Sequence, residues 1–502
     1  MPSLSKSKIM AYRQCPKRVW IEVHHPELQN ESDKSQASLA CGYLVGGLAR
    51  QHYDPQTKGV HIDHIADGFS EKLVQTSNSL TSEQPLFEAA LEAENVMIFS
   101  DLLLPAQQGN AGGWDMFELK STTHVKDYHR DEIAIQAYIA RQAGLPLNKT
   151  VVAHLDKEWI YPGNGDYHGL LVEHDLTDET IARAGEVASW IKAAKETVSQ
   201  ENEPQMKTGS QCETPYKCGF SDYCFRNQQK AIHPIHWLPR PSPSLSSYLE
   251  QHGITELRDV PDDLLNKQQK RVKYATLSGT VFFDQQATAR ALSGFQLPAY
   301  FLDFETISFA VPIWAGTRPY QKTPFQFSVH RMLGAGHIEH SEFLDISGND
   351  PAEKLVRSLL AACGKEGPIF VYYQAFEKGR INELAERFPE FSEPLLALNE
   401  RIVDLLPIAR EHYYHPNQHG SWSIKAVLPA LCPELSYDDL HGVQDGSMAM
   451  DAYLEAIASE TSPEQKQQIE QQLLTYCKLD TYAMVRLWSE FSNSKLNLSN
   501  KN

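Results

Sequence analysis

The sequence of 502 residues predicts a mixed α/β fold in two domains joined by a helical spacer. Three observations carry this. Residues 1–235 and 296–492 each alternate strand-like apolar runs with amphipathic stretches of helical period, the pattern of packed α/β layers. The Pro-rich run His233-Pro-Ile-His-Trp-Leu-Pro-Arg-Pro-Ser-Pro243 separates them and reads as a linker. The length agrees, since roughly 150 residues per domain leaves room for two to four. The expected boundaries are 1–235, a linker and spacer over 236–295, a second domain over 296–492, and a polar tail over 493–502.

Apolar residues make up 41% and charged residues 22%, which excludes disorder for the bulk of the chain and also a fibre. The 64 acids against 46 Lys and Arg give a formal charge of −18, which argues against a nucleic-acid coat protein. Contact with a polyanion then requires local basic patches or bound cations. Met1–Cys15 holds no signal-peptide core, and no run approaches the roughly 20 apolar residues that span a bilayer. The expectation is a cytoplasmic protein with no membrane partner, in which the eight cysteines stay reduced.

In chain order, Val96 to Leu104 is an apolar strand with one central acid, Asp101. Met116–Lys120 is a short strand with Glu118 and Lys120 on one face and Phe117 and Leu119 on the other. Asp131 to Ala143 reads as a helix presenting Gln136. Cys212, Cys218 and Cys224 form a C-x5-C-x5-C cluster, with Cys15 far upstream. Four thiolates suit a 4Fe–4S cluster or zinc equally on ligand count. Cys41, Cys363, Cys432 and Cys477 read as packing residues. Over 244–293 the apolar stripe Leu245, Leu249, Ile254, Leu257, Val260, Leu264 and Leu265 predicts helix.

Ala299–Thr306 is an apolar strand whose Asp303 and Glu305 share one face while Leu302 and Phe304 enter the core. Roughly eight acid-x-acid pairs are expected by chance at this composition, so the pair alone is weak. Its apolar setting makes it informative, because buried carboxylates need a cation or partner to offset their desolvation. Pro368 to Glu377 reads as a strand-like run and Arg401–Leu406 as another, the latter carrying Asp404. Tyr476 and Asp480 lie at i, i+4 on a late helix and share a face.

The order of Asp303-x-Glu305, an aromatic–acid step at Phe376-Glu377, and Tyr476-x3-Asp480 resembles the DEDD exonucleases, which have an RNase H-like fold and shorten 3′ ends. The resemblance implies that Asp303, Glu305, Glu377 and Asp480 hold two divalent cations, Mg²⁺ or Mn²⁺, with Tyr476 orienting the attacking water. The middle motif departs from the family's Asn-x-x-Phe-Asp, reading Gln374-Ala-Phe-Glu377, and Asp404 is the rival fourth carboxylate.

Asp101, Glu118-x-Lys120 and the Gln136 helix resemble the RecB-like branch of the PD-(D/E)XK nucleases, implying a restriction-endonuclease-like N-terminal domain. There Asp101 and Glu118 would bind a divalent cation, Lys120 would assist water or offset phosphate charge, and Gln136 would support the site. The family often adds an early His or Glu; this sequence offers His52 and Glu88. One cysteine before such a core and three after it is the arrangement of its iron–sulfur members, so the resemblance favours a structural 4Fe–4S cluster over zinc at Cys15, Cys212, Cys218 and Cys224.

The chain from residue 3 to about 490 resembles an uncharacterised bacterial family, domain-of-unknown-function family 2779, which joins these two nuclease types. The resemblance includes Gly420-Ser-Trp-Ser-Ile-Lys425 and Tyr437. The implied function is metal-dependent hydrolysis of phosphodiesters in DNA processing, repair or defence, with DNA bearing a free or single-stranded end as partner. The alternatives are a non-catalytic nucleic-acid-binding adaptor with decayed sites, or a chain in which the C-terminal site alone works. Two basic clusters are candidate phosphate contacts: Lys6, Lys8, Arg13, Lys17 and Arg18, and Lys267, Lys270, Arg271 and Lys273. Ile254 to Pro261 faintly resembles a helix-hairpin-helix, but lacks the Gly pair such a hairpin uses.

Overall fold

The computed structural model describes residues 3–30, 36–62, 68–106, 113–226, 231–334 and 336–493. They form two compact units, Met1–Gln229 with Phe309–Gln321, and Lys230–Ser308 with Lys322–Asn502. All but the first residue of the polar tail lies outside the described residues. Among those described, no helix is long and apolar enough to cross a membrane.

The first unit opens with β1 (Leu4–Ser5), α1 (Lys6–Gln14) and α2 (Pro16–His24). Cys15 is extended between the two helices, and Pro16 occupies the first helical position, where its missing N–H costs nothing. Then follow α3 (Gln36–Tyr53), β2 (Val60–His61), α4 (Phe69–Ser79), β3 (Leu86–Ala93), β4 (Val96–Pro105), β5 (Trp114–Lys120), α5 (Asp127–Gln142), β6 (Leu147–Leu155), β7 (Leu171–Asp175), α6 (Thr177–Ala182), α7 (Ala184–Val198) and α8 (Ser221–Phe225). The sheet order is β2-β3-β4-β5-β6-β7, with β1 pairing β4 in parallel. β3 and β4 form a hairpin closed by Glu94-Asn95, both at positive φ, as a two-residue type I′ turn requires. β5 and β6 are parallel, so α5 is their crossover, and it buries Ile133, Ala134, Ile135 and Ile139 in the main core. This helix starts at Asp127, four residues before its predicted start, where the Lys126 backbone N–H donates to His129 Nδ1 at 3.1 Å across the first turn.

In the second unit, α9 (Pro243–Gln251), α10 (Lys267–Ser278), β8 (Phe282–Phe283) and α11 (Gln285–Leu292) make up the spacer. Leu245, Leu249, Leu257, Val260 and Leu265 are buried together with Leu238, and Ile254 packs at their edge. Leu264 departs from the predicted stripe at 40% exposure. Asp262–Leu264 is a 3₁₀ turn after Pro261, so the period is broken there and the side chain faces out.

The chain continues through β9 (Ala299–Ser308), β10 (Lys322–Gly334), β11 (His337–Leu344), α12 (Ala352–Cys363), β12 (Ile369–Val371), α13 (Gln374–Arg387), α14 (Ser392–Glu400), β13 (Ile402–Asp404), α15 (Leu405–His412), β14 (Tyr413–Tyr414), α16 (Ile424–Leu431), α17 (Gly446–Ile457) and α18 (Pro463–Ser492). β14 pairs with β8, which ties the spacer into this unit. The main sheet has the order β11-β10-β9-β12-β13, antiparallel among the first three and parallel from β9 to β13. α18 lies over β9 and β10, sealed by Met484, Val485, Leu487 and Trp488.

The predicted strand over Pro368 to Glu377 is corrected. It ends at Val371, Tyr373 turns through φ 89°, and Gln374 opens α13, so Glu377 stands in the first turn of a helix. Apolar content alone could not separate a short strand from a helix start; the turn at Tyr373 divides them.

Candidate active site

Asp303 and Glu305 project from the central strand β9, while Leu302 and Phe304 fill the core behind it. Opposite them the β9–β10 ladder passes from Thr306–Pro324 to Glu305–Gln326, leaving Phe325 as an extra residue. Such a bulge twists the strand beside the carboxylates. α18 brings in Asp480 and Tyr476, and α13 brings in Glu377. Four acids from three separate segments thus meet, Glu305, Glu377 and Asp480 buried and Asp303 half-buried.

Asp303, Glu305 and Cys477 each place a ligand-type atom within 4.8 Å of the others. Burial, then the charge of Asp480, pushes Asp303 well above the carboxylate range and Glu305 to about 8. Burial also raises Asp480 to about 6, against the pull of a hydrogen bond from Tyr437 and the positive charge of Lys425. Glu377 is 2% exposed, burial raises it to about 8, and its Oε2 is buried without a hydrogen-bond partner. Cys477 is a packing residue as expected, but its Sγ also lies 4.0 Å from Asp303 Oδ2.

The rival carboxylate has another task. Asp404 accepts from the backbone N–H groups of Tyr373 (3.0 Å), Gln374 (3.0 Å) and Leu406 (2.9 Å). It caps α15 and clamps the strained turn that launches α13. Asp404→Ala is expected to lower unfolding free energy by about 2 kcal/mol, read as a lower denaturant midpoint, because a charged cap and its backbone bonds are lost. An unchanged midpoint would contradict that role.

Two further residues complete the site. Lys425 Nζ donates to the Tyr476 hydroxyl at 2.9 Å and to the Gln444 carbonyl at 3.1 Å. The Tyr437 hydroxyl donates to Asp480 Oδ1 at 2.6 Å. Sequence reading placed both residues in the family resemblance but gave neither a role. Their partners lie 51 and 43 residues away, with no linear signal of the pairing.

In the first unit, Glu118 is buried and its Oε1 accepts from Lys120 (2.7 Å) and Lys6 (2.9 Å). Lys120 also pairs with Glu132. Burial alone would raise Glu118, but the two lysines hold it far below the carboxylate range; its Oε2 has no hydrogen-bond partner. Asp101 Oδ2 accepts from Leu119 N at 2.6 Å, and burial with the Glu118 charge raises it to about 7. Gln136 is fully buried and donates to the Phe99 carbonyl at 2.7 Å, tying α5 to β4 rather than touching the acids. Glu88 falls opposite Asp101 where the β3–β4 ladder skips both residues, at φ 59°. His52 is exposed near the end of α3, beside Tyr53.

The four cysteines Cys15, Cys212, Cys218 and Cys224 lie within electrostatic reach of one another, and burial, then neighbouring groups including the other thiols, raises Cys218 and Cys224. Gln14, at the end of α1, donates to the carbonyls of Gln211 (2.8 Å), Thr214 (3.2 Å) and Tyr216 (2.7 Å), so the N-terminal hairpin is fastened to the cysteine loop. Among the described residues, the group of potential metal ligands found within 4.8 Å of one another is Asp303, Glu305 and Cys477.

Both basic clusters are largely used internally. Lys6, Lys8, Arg13, Lys17 and Arg18 pair with Glu118, Glu22, Asp131, Glu203 and Glu22. Lys273 is buried on the Val260 carbonyl and Asp262; Arg271 donates to the Arg410 carbonyl and lies over Phe282. Lys267 is exposed but pairs with Glu411, and Lys270 is half-buried near Asp262. As phosphate contacts, Arg271 and Lys273 are corrected to structural residues.

The second unit therefore presents a buried carboxylate cluster on a mixed α/β scaffold. Residues 300–423 match the family described as "Domain of unknown function (DUF2779)". The matched segment carries Asp303, Glu305 and Glu377 and ends before Lys425, Tyr437, Tyr476 and Asp480. No curated protein matches the chain.

Proposed function

We propose that the chain is a divalent-metal-dependent nuclease whose second unit hydrolyses phosphodiesters from the 3′ end of a strand, in DNA processing, repair or defence. The observation that carries this reading is the burial of Asp303, Glu305, Glu377 and Asp480 together, with Lys425 the facing cation for three of them. So many buried carboxylates are costly without a cation, and all-oxygen donors suit hard Mg²⁺ or Mn²⁺. The sheet order with antiparallel β9–β11 and parallel β9-β12-β13 supports an RNase H-like reading. The β3-β4-β5-α5-β6 order supports a restriction-endonuclease-like reading of the first unit.

Divalent cations at such a site supply charge that activates water and stabilises the in-line transition state. Asp303, Glu305, Glu377 and Asp480 would hold them. Burial and the neighbouring carboxylates push Tyr476 far above the phenol range, so it stays protonated and acts as a donor that orients water. Its oxygen is fixed by Lys425, whose charge also faces the phosphate. Tyr437 holds Asp480 in one orientation.

In the first unit the donors are fewer, since Glu118 is already bound by two lysines. That observation favours the reading in which the second unit alone is active and the first is a cluster-stapled substrate guide. There, Cys15, Cys212, Cys218 and Cys224 suit a 4Fe–4S cluster or zinc on ligand count, and the resemblance to iron–sulfur nucleases favours the 4Fe–4S cluster.

The test is a 5′-end-labelled single strand incubated with Mg²⁺, Mn²⁺ or chelator. The expected result is a ladder of 3′-shortened products with metal and none with chelator. Full-length strand under every divalent ion would overturn the proposal. Lys120→Ala is expected to leave this ladder unchanged; loss of the ladder would assign catalysis to the first unit as well.

A further inference from the structure

The second unit carries a groove of about 620 Å³ lined in part by the Pro-rich run and by Gly420–Ile424, segments to which sequence reading assigned no binding role. The Pro-rich segment at His236–Arg240, the Tyr372–Tyr373 turn, α15 and the loop 419–424 form its walls. Not one Asp or Glu lines it, although the chain is strongly acidic. Arg240 and Arg410 face it, and neither has a carboxylate within 4.0 Å among the described residues. His236 and His419 add titratable donors.

Its rim is also where the backbone is strained. Among the described residues, eleven non-glycine residues have positive φ, and three of them, Arg240, Tyr373 and His419, line this one groove. A bulky residue in that region crowds its Cβ against the following carbonyl, and such strain gathers at functional sites. Tyr373 is 55% exposed, on a turn that Asp404 holds through backbone hydrogen bonds. His419 is stacked on Trp237 at 4.2 Å. Gly420, at φ 81°, lets the loop approach so closely that a Cβ would lie 1.8 Å from the Trp237 carbonyl oxygen.

Both flanks lead along the chain to residues of the carboxylate cluster. Tyr373 precedes Glu377 by one helical turn, and Ile424 precedes Lys425, which holds Tyr476. Unpaired arginines recognise phosphates, and an outward aromatic ring on a rigid turn recognises an unstacked base. A duplex hides its base faces, so the ligand chemistry is that of a single strand.

We propose that this groove binds the single-stranded polynucleotide next to the nucleotide in the carboxylate cluster, with phosphates on Arg240 and Arg410 and a base on Tyr373. The proposal rests on the nuclease reading for its substrate class. It is tested by fluorescence anisotropy of the full chain with labelled oligo-dT and oligo-U, without divalent ions, between about 50 and 200 mM salt. Arg240→Ala with Arg410→Ala is expected to weaken binding at least about tenfold and to reduce the salt slope by about two. Tyr373→Ala is expected to weaken it about tenfold with the slope unchanged, and Tyr373→Phe to restore it. Equal loss on both oligomers supports a sugar-indifferent site; loss on one alone supports the groove and assigns DNA or RNA.

Unchanged binding and slope in these variants overturns the groove. So does a blunt duplex that binds as tightly as the single strand. The two proposals fail separately. A metal-dependent ladder that survives with unaltered affinity in the arginine variant leaves the nuclease and removes the groove. Absence of any ladder beside a tenfold affinity loss removes the nuclease and leaves the groove.

Discussion

Asp303→Asn combined with Asp480→Asn is expected to abolish divalent-dependent strand shortening, a loss of at least about a thousandfold or 4 kcal/mol of transition-state stabilisation. The two residues enter from β9 and α18, so the variant removes carboxylates from both walls of the cluster while keeping side-chain shape. Unaltered degradation would refute the assignment. Stability supplies the control. Asp303 and Asp480 titrate above their unfolded values in the native state, which therefore binds extra protons. The metal-free wild type should lose stability as pH rises from about 4 through the raised native values, Asp480 being at about 6. The amides carry no such penalty, so at pH 8 without metal the variant should melt about 2–4 °C higher than wild type. Mn²⁺ should raise the wild-type midpoint and not that of the variant. A variant that melts lower would have lost its fold, and its inactivity would mean nothing.

Anaerobic purification is expected to yield a coloured protein with about four irons per chain. Cys218→Ser with Cys224→Ser should remove both colour and iron. Because Cys15 joins α1 to α2 and Gln14 is bound to the 211–216 loop, losing the centre unfastens the N-terminal hairpin from the end of its unit. The expected cost is at least about 3–5 kcal/mol, seen as an early unfolding step or a proteolytic cut between residues 200 and 226. One zinc per chain and no colour would overturn the cluster.

Much of this site was legible in the sequence because it obeys short periods. The i, i+2 spacing of Asp303 and Glu305 puts both on one face of β9, and the i, i+4 spacing of Tyr476 and Asp480 does the same on α18. Of the two candidates for the fourth carboxylate, Asp404 is spent on backbone N–H groups and Glu377 is buried near the cluster. Its strand setting was misread, because a left-handed Tyr373 leaves no mark on hydrophobic periodicity.

The basic clusters show the opposite limit. Five cations in the first 18 residues look like a phosphate-binding face in the linear sequence. In the fold each finds an acid, as distant as Glu203 for Lys17. Arg240 and Arg410, which face the acid-free groove, belong to no basic run at all.

From sequence alone came the mixed α/β class, the two-part division, the Asp303–Glu305 and Tyr476–Asp480 pairs, the C-x5-C-x5-C cluster and the −18 charge, since each depends on composition or on neighbours within a few residues; Glu377 and Cys15 entered as ligands only through family resemblance. Tertiary structure alone decided which charges remain unpaired: that Lys425 serves Tyr476, that Lys6 and Lys120 quench Glu118, and that Arg240 and Arg410 face an acid-free groove. Pairing is a matter of angstroms between groups up to 186 residues apart, and Coulomb energy falls with distance in space, not along the chain.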